Sequence, residues 1–447
     1  MLSKDDVKAR IFHQIDSRAD EIIKVSKTIL ENPEPGFREV KTSRLVASKF
    51  AELGIPFQDG LALTGVKGEL QGGSQGPSVA LMGELDSLIV SSHPHADPTT
   101  GAAHACGHHC QIGMLVGAAV GLTAEDVMPS LSGRVVLIAV PAEEYIEIEY
   151  RDSLREAGKL EFLGGKPELI RLGALDDVDI AMMCHTTSNA DEGKLCMSGT
   201  NNGIVAKKIQ FLGRGAHAGG APHLGINALN AASLAMMAIH ANRETFQDED
   251  TIRVHPIITK GGEAVSAVPA DVRMETFVRG RTLAAVADAN HKVDRALKAG
   301  AMAVGAKVRI QTMPGYLPMQ QDQNLAQIFR SNAVNLVGEE NVGQVHHRTG
   351  STDMGDVSQL MPVIHPYVGG AAGLGHGANY VVQDYSLAVI TAAKCLASTI
   401  VDLLSEGGSQ AGKVIASHTN AMTTQEYLSF MRSQAKDELF EYSPDSP

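Results

Sequence analysis

The order of predicted strands and helices changes twice along this chain of 447 residues, and this change constrains the fold more than any other feature. Up to residue 203, short apolar strands alternate with helices, which indicates an α/β core. The middle segment instead runs strand, helix, strand, strand, helix, strand, the order of a ferredoxin-like α+β unit. After Pro318 the α/β pattern resumes and closes with a helix over 386–404. We therefore predict an α/β domain with a central mixed sheet, interrupted by a smaller α+β domain; the predicted boundaries are 1–203, 204–318 and 319–447.

Charge and composition exclude several classes of partner. The chain carries 38 basic and 51 acidic residues, a formal net charge of −13. Nucleic acids and anionic membranes both select basic surfaces. Aromatic residues make up only 4% of the chain and Trp is absent, which disfavours a surface that binds by base stacking. We expect a small-molecule substrate as partner, with no nucleic acid and no membrane.

The compartment is predicted from what the chain lacks. Its first 25 residues contain no apolar leader segment, and no run of about 20 apolar residues is expected to span a bilayer. Five cysteines in so long a chain do not suggest a disulfide framework, so we read a reducing environment. A cytoplasmic protein is expected, with a polar and loosely ordered tail after Ser405.

Metal-ligating residue types recur after the predicted strands of the α/β part. His104-Ala-Cys106-Gly-His108 is followed by Pro-Ala-Glu143-Glu144 after an apolar strand, by Cys184-His185 after another, and by His376 between glycines. Each segment alone is more often a buried cysteine, a surface histidine or a solvated charge pair than a metal site. Because open α/β sheets place their sites at strand ends, the series as a whole favours a metal site over these alternatives.

The middle segment and the last third add polar candidates. His217, in a glycine-rich turn, could donate a hydrogen bond to a developing oxyanion, and Arg279 could bind a substrate carboxylate. Asp353 lies in a tight polar turn that could line a pocket, which makes it a candidate substrate-binding residue. A phosphate-binding loop, a dinucleotide-binding fingerprint and a Gly-x-Ser-x-Gly nucleophile motif are all absent from the sequence, which excludes these routes to function.

Together these motifs resemble the aminoacylase and carboxypeptidase G type of metallopeptidases. The branch they resemble most is that of the amidohydrolases, with hippurate, auxin-conjugate and aminobenzoyl-glutamate hydrolases. The resemblance covers nearly the whole chain, and its most specific part is the pair His-Ala-Cys-Gly-His and Pro-Ala-Glu-Glu; the matching segments are 32–39, 83–86, 104–108, 141–144, 215–217, 261–262, 268–269, 350–353 and residues His185 and His376.

The resemblance implies a role for each matching residue. Cys106 would bridge two divalent ions, with Glu144 and His376 completing one site and His108 and His185 the other. Glu143 would be the general base that activates water, with Asp86 an acidic residue beside it. The middle domain would serve as a lid and would form a homodimer or a higher homo-oligomer. Across this contact, His217 would reach the site of the partner and stabilise the oxyanion. One or two ions are expected, Mn or Zn first, with Co or Ni also compatible with these ligands.

Three positions depart from the family pattern. Ser266 stands where the family often has Asn. Because the serine side chain is shorter and has a single hydroxyl, it is expected to anchor the substrate differently. His109 stands where the branch commonly has Asp or Asn. Tyr145 follows Glu144 in place of the usual Gly and opens a charged insert over about 146–161. The substrate need not be an ordinary N-acyl amino acid.

Three functions remain open at this point. The first is hydrolysis of the amide C–N bond of a small carboxylate-bearing substrate, such as an N-acyl or aminobenzoyl amino acid or an unusual dipeptide, by metal-activated water. The second is hydrolytic deamination of an aromatic amine such as nitroanthranilate at the same centre. The third is a non-catalytic small-molecule binding protein, which predicts the loss of a ligand or the base, and none is lost in this sequence.

Overall fold

The structure is a computed structural model that describes residues 2–442. In chain order its α-helices are α1 (Lys4–Ser17), α2 (Ala19–Leu30), α3 (Val40–Glu52), α4 (His108–Leu122), α5 (Ile148–Glu156), α6 (Gly165–Arg171), α7 (Ala228–Ala241), α8 (Leu283–Ala303), α9 (Gln323–Val337), α10 (Met354–Val357), α11 (Ala392–Leu404), α12 (Ser409–Ser417) and α13 (Thr424–Gln434).

The strands of residues 2–442 form two six-stranded sheets, one five-stranded sheet and two two-stranded sheets. They are β1 (Phe57–Leu61), β2 (Gly65–Gln71), β3 (Ser74–Glu84), β4 (Leu88–Ile89), β5 (Ala102–Ala103), β6 (Ser132–Val140), β7 (Ile180–Met182), β8 (His185–Thr186), β9 (Leu195–Asn201), β10 (Gly203–Leu212), β11 (Arg253–Val254), β12 (Ile257–Lys260), β13 (Asp271–Gly280), β14 (Lys307–Pro314), β15 (Met319–Gln320), β16 (Val342–Arg348), β17 (Val363–Ile364), β18 (Tyr367–Val368), β19 (Ala371–Ala372), β20 (Val381–Val382) and β21 (Lys436–Phe440).

The first large sheet is the predicted mixed sheet of the α/β part. Its strand order is β1-β2-β6-β3-β7-β17. The pairs β1–β2 and β2–β6 are antiparallel, whereas β6, β3, β7 and β17 run parallel to one another. The end of β3 and most of β6 are buried, which explains why both read as unbroken apolar runs rather than alternating ones. The predicted fold class is confirmed.

Helix α4 is buried along its whole length behind this sheet. Its glycines at 113, 117 and 121 are spaced four residues apart and so lie along one face of the helix. A Cβ on Gly117 would lie 2.9 Å from the Cβ of Ala393, and one on Gly121 would lie 2.8 Å from the Cγ2 of Ile11. The small residues therefore let α1 and α11 approach α4 closely, and this packing fixes the helix whose first residue is His108.

The second large sheet belongs to the interrupting segment and has the order β11-β13-β10-β14-β21, with β12 also paired to β13. Strands β12, β13, β10 and β14 are antiparallel neighbours in the ferredoxin-like order, and α7 and α8 supply the helical layer. We call this sheet with α7 and α8 the lid. Its edge strand β21 comes from the C-terminal part of the chain, beyond the predicted boundary at 318. The domain boundaries stay a prediction.

The expectation of a loosely ordered tail after Ser405 was wrong for the residues that the structure describes there. Thr423 and Glu426 form a capping box that begins α13, and the buried side chains of Tyr427 and Met431 hold that helix on the core. Strand β21 then pairs with β14. The polar composition concealed a helix that is buried at only two positions.

One segment passes the length and composition test for a membrane-spanning helix, contrary to the sequence expectation. It covers Ser386–Leu404, with a mean hydropathy of 1.8. Residues Ser386–Thr391 are a π-helix that leads into α11. The test window is 78% buried inside the protein, where it packs against α4 and α1. Its apolar character is used in the core.

Candidate active site

The candidate ligands meet at one edge of the mixed sheet because parallel strands end there together. Strand β3 ends at Glu84, two residues before Asp86, and β6 ends three residues before Glu143. The short β8 begins at His185. Helix α4 starts at His108, after Gly107 in a left-handed conformation with φ of 93°. Residues far apart in the sequence, such as Cys106 and His376, thus converge.

The structure brings all five predicted metal ligands together around a shared thiol. Cys106, His108 and His185 form one donor group, and Cys106, Glu144 and His376 form a second. The Sγ of Cys106 lies 3.3 Å from the Nε2 of His185, and the Nε2 of His376 lies 3.4 Å from an Oε1 of Glu144. Because Cys106 belongs to both groups, the arrangement suits two neighbouring cations bridged by one sulfur.

Hydrogen bonds orient both imidazoles of the first group. The Nδ1 of His185 lies 2.7 Å from the carbonyl oxygen of Thr186, and the Nδ1 of His108 lies 2.9 Å from the carbonyl oxygen of Asp86. Each Nδ1 is therefore placed to donate its proton to a carbonyl, which leaves Nε2 as the free donor atom, the arrangement typical of metal-ligating histidines.

Asp86 joins the two ligand segments rather than facing the cavity. Its carboxylate lies 3.2 Å from the Nδ1 of His108 and accepts the backbone N–H of Glu144 at 2.9 Å. The side chain is fully buried. Asp86, predicted as an acidic neighbour of the site, thus fixes the position of His108 relative to Glu144.

Several buried atoms of the site have no hydrogen-bond partner among the described residues. They include the Nε2 of His108 and the Oε1 of Glu144. A buried polar atom without a partner is costly. A thiol, imidazoles and carboxylates with free donor atoms are the set that borderline divalent cations bind, so the residues present fit the metal that the resemblance implies.

Burial and neighbouring charges shift the pKa values of several site residues. Burial, reinforced by the negative charges of Glu84 and Glu144, raises the pKa of Glu143 well above its usual range. Burial and the carboxylate of Glu144 likewise raise the pKa of the Cys106 thiol. Burial together with the charge of His108 lowers the pKa of His185 to about 4. A bound cation would reverse the first two effects, because it stabilises the ionised thiolate and carboxylate.

Two residues that the sequence analysis did not single out, Glu84 and Lys166, lie directly behind the ligands. Both are buried, and the Nζ of Lys166 lies 2.7 Å from an Oε1 of Glu84 and also binds Asp353. Burial would raise the pKa of Glu84, but the charges of Lys166 and His108 hold it well below its usual range. Glu84 belongs to the matching segment 83–86, so the sequence offered a signal for it. Lys166 follows the insert and belongs to no recognised motif.

Asp353 was predicted to bind substrate, and the structure places it elsewhere. It is fully buried and is held by both the backbone N–H and the Nζ of Lys166. Its neighbours Gly350, Ser351 and Thr352 line the cavity instead. The tight turn was correctly associated with the pocket, whereas Asp353 itself lies behind the wall, where it pairs with the buried ammonium of Lys166.

A cavity of about 580 Å³ opens over the ligands and is walled by residues of the lid and of the α/β part. Arg279 reaches it from β13, with its guanidinium 5.3 Å from the centre of the Phe277 ring, and forms no ion pair with any described residue. Burial lowers the pKa of Arg279. Aromatic and imidazole side chains form much of the wall: Tyr145, Phe277, Tyr316, His347, His365 and Tyr367.

His217 and Ser266 do not line this cavity. They lie on neighbouring exposed turns of the lid, where His217 forms a bridge with Ala267 and Ser266 accepts the N–H of Ala218. The Nδ1 of His217 accepts hydrogen bonds from the backbone N–H groups of Gly219 and Gly220. Within one chain, therefore, the other nine predicted site residues lie in or directly behind the site or reach its cavity, whereas these two do not; their roles stay a prediction.

Comparison with known proteins yields one family. Residues 80–401 match peptidase family M20/M25/M40. The chain is 27% identical over 421 residues to the Xaa-Arg dipeptidase of Mus musculus, covering 89% of each chain. It is 27% identical over 362 residues to the IAA-amino acid hydrolase ILR1-like 4 of Arabidopsis thaliana, covering 78% of this chain and 77% of the relative. A dinuclear metal binding peptidase of the M20 family from Bacillus subtilis has the same fold, with a TM-score of 0.63 at 21% identity over 87% of this chain and 99% of that one.

Proposed function

Because the chain belongs to peptidase family M20/M25/M40, a family of hydrolases that act on amide bonds, we propose that it cleaves the amide C–N bond of a small carboxylate-bearing substrate. The relatives named above act on dipeptides and on amino acid conjugates. We propose the same class here: an N-acyl or aminobenzoyl amino acid, or an unusual dipeptide.

One observation carries this proposal. Two donor groups share the thiol of Cys106, and the carboxylate of Glu143 lies beside them, with an Oε2 3.9 Å from the Nε2 of His108. Cys106, His108 and His185 would hold one divalent cation, and Cys106, Glu144 and His376 a second. Such ions, when bound, supply the positive charge that polarises a carbonyl oxygen and acidifies water.

The remaining chemistry is assigned to side chains of this protein. Glu143 is not one of the five ligands, so its carboxylate is free to take a proton from water and return it to the leaving nitrogen. The guanidinium of Arg279 is placed to bind the substrate carboxylate, since it reaches the cavity and has no ion-pair partner among residues 2–442. Ser266 and His217 would join the site only from a second subunit.

A homodimer through the lid is supported by the surface of the lid. Large apolar side chains are exposed there, among them Leu224, Met237, Ile257 and Val265. Ile257 lies on β12, whose edge is unpaired beyond β13 among the described strands. Exposed apolar side chains next to an open strand edge are typical of an interface. In such a dimer the exposed turn of His217 could enter the partner's cavity and donate to the oxyanion.

A second candidate, hydrolytic deamination of an aromatic amine, is favoured by the aromatic wall of the cavity. Tyr145, Phe277 and Tyr316 are arranged edge to face, with ring centres 5.9 Å apart for Tyr145 and Phe277 and 5.5 Å apart for Tyr145 and Tyr316. Such a wall suits a planar ring, but an aminobenzoyl or indole-bearing amide fits it equally. The products separate the two reactions.

The test is a substrate panel assayed with metal-free protein reloaded with Mn²⁺, Zn²⁺ or Co²⁺. The panel holds N-benzoyl and N-acetyl amino acids, aminobenzoyl-glutamate, indoleacetyl amino acids, dipeptides ending in Arg, and nitroanthranilate. Release of a free amino acid with a carboxylic acid supports amide hydrolysis, and release of ammonia with a phenol supports deamination. No turnover of any compound with any of the three metals would contradict the proposal.

Glu143→Gln provides the matched test of the mechanism. Gln keeps the shape of the side chain but cannot carry the proton, so we expect turnover to fall by at least about 10²-fold while the bound metal, measured by elemental analysis after dialysis, is unchanged. Exposed Glu31→Gln serves as control and should retain full turnover. Retained activity in Glu143→Gln would refute the assigned base.

A further inference from the structure

The charged insert after Glu144 folds back beneath the two carboxylates. Its helix, α5, carries Arg151, which is only 1% exposed and is one of the largest buried side chains of the protein. Within residues 2–442 no carboxylate lies within ion-pair distance of this guanidinium. Burying a cation without a counter-ion costs free energy of desolvation. The hydrogen bonds of the guanidinium must offset part of this cost.

The guanidinium of Arg151 contacts three backbone carbonyls, two of which belong to the loop that carries the carboxylates. Nη1 of Arg151 donates to the carbonyl oxygens of Ala142 at 3.1 Å and of Leu163 at 2.7 Å, and Nη2 donates to that of Glu144. Gly36 leaves the space for this, because a Cβ there would collide with Nη2 and lie 2.9 Å from the Cα of Ala142.

The loop needs such support because its backbone is strained and its polar groups face inward. Ala142 has a φ of 53°, in the left-handed region that non-glycine residues rarely adopt. Side chains from outside the loop hold its other groups: Glu39 accepts the N–H of Ala142, Asp86 accepts that of Glu144, and Tyr316 donates to the carbonyl of Glu143. Arg151 alone of these is supplied by the insert.

Helix α5 is itself tied to both sides of the site. Asp152 pairs with Lys208 of β10 at 2.5 Å, and Glu149 pairs with Arg273 of β13 at 3.1 Å. The residue before the helix, Glu147, pairs with Arg38 of the α/β part at 3.1 Å. The helix that carries Arg151 is therefore tied both to the lid and to the α/β part.

We propose that Arg151 is a positioning residue that sets the direction of Glu143 and Glu144 by holding the carbonyls on either side of Glu143. This inference rests on the proposed function of those two carboxylates. Removing the guanidinium would let the peptide planes of residues 142 and 144 rotate, which turns Glu144 away from Cys106 and Glu143 away from the substrate. Groups that orient ligands and bases from behind typically change metal affinity or activity by about 10- to 100-fold.

The experiment compares Arg151→Ala with Arg155→Ala on metal-free protein titrated with Co²⁺. Arg155 lies on the same helix, but its side chain is 43% exposed and pairs with Asp152. For Arg151→Ala we expect weaker binding of one Co²⁺ by about tenfold, a similar fall in kcat and little change in KM. Free guanidinium at low millimolar concentration should restore both Co²⁺ binding and kcat in this variant and leave Arg155→Ala unaffected.

Arg151→Lys keeps the test decisive if the alanine variant does not fold. A lysine keeps the charge but loses the planar fork that reaches two carbonyls, so we expect a folded protein with Co²⁺ affinity and kcat between those of wild type and Arg151→Ala. Unchanged Co²⁺ affinity and kcat in either variant, or a loss that guanidinium does not restore, would overturn the positioning role. Wild-type protein that neither binds Co²⁺ nor turns over the panel would instead refute the proposed function.

Discussion

Glu39 shows how one buried carboxyl connects the stability of this protein to pH. It is fully buried, accepts the N–H of Ala142 at 2.7 Å and the hydroxyl of Thr64 at 2.7 Å, and has no basic partner among the described residues. Burial, together with the charge of Asp86, raises its pKa to about 7. At pH below 7 the folded protein therefore keeps a proton on Glu39 that an unfolded chain would already have released above about 4.5.

This proton predicts a stability slope of defined sign. Between about pH 4.5 and 7 the folded state binds more protons than the unfolded state, so this group lowers the free energy of unfolding as pH rises. Glu39→Gln is neutral at every pH, so in metal-free protein we expect it to match wild type near pH 5 and to exceed it at pH 8 by on the order of 1–3 kcal/mol. Urea unfolding at both pH values measures the difference. Exposed Glu31→Gln is the control, and a Glu39→Gln variant that is less stable at pH 8 would contradict the assignment.

At the level of secondary-structure elements, the lid is joined across its layers by one buried ion pair. Lys207 of β10 has a side chain that is 0% exposed, and its Nζ lies 2.6 Å from an Oδ1 of Asp294 on α8 and 2.7 Å from the Oγ1 of Thr312 on β14. Burying such a pair costs desolvation that its attraction only partly offsets, but breaking it leaves a charge without a partner.

Lys207→Met is therefore expected to destabilise the protein by about 3 kcal/mol, since Asp294 then stays behind without its partner. The double variant Lys207→Met with Asp294→Leu should recover most of this loss, because no charge remains to be buried. Urea unfolding of both variants and of Asp294→Leu alone gives the double-mutant cycle. Lys436→Met, whose side chain is 60% exposed, should change little. A double variant less stable than Lys207→Met would show that the pair does not act as described.

For the molecule as a whole, the predicted site residues lie on two separate surfaces of one subunit. One chain supplies the five ligands, Glu143 and Arg279, whereas His217 and Ser266 lie on the exposed lid surface outside the cavity. The apolar residues exposed near β12 give that surface a reason to be covered. The proposed dimer would satisfy both observations.

Mixed dimers test this proposal directly. His217→Ala and Glu143→Gln should each be inactive as homodimers, since one lacks the oxyanion donor and the other the base. In a heterodimer of the two, one cavity combines an intact Glu143 with an intact His217 from the other subunit, so mixing after partial unfolding should restore up to about a quarter of wild-type activity. Sedimentation confirms the dimer, and refolded mixtures that stay inactive would contradict the exchange of His217.

Local patterns in the sequence were sufficient for the architecture and for most of the site. Strand–helix alternation in the α/β part and the strand and helix order of the middle segment depend on neighbours in the chain, and the structure confirms the fold class that they predicted. The ligand set was equally accessible, because a metal centre requires particular residue types and Cys106, His108, Glu144, His185 and His376 stand out as such after core strands. The resemblance to a known family then assigned their roles.

Other features depend on contacts between distant parts of the chain, which no local pattern encodes. Lys166 and Asp353 are 187 positions apart yet meet in the core, so the aspartate predicted on the pocket wall lies behind it. Arg151 looked like one charge in a polar insert, and only the turn of α5 beneath Ala142 makes it a buried donor. The tail strand β21 joins a sheet whose other strands end more than 120 residues earlier. Periodicity reports which face of an element is buried, whereas the partner that a buried charge or a strand edge finds depends on the three-dimensional packing of the whole chain.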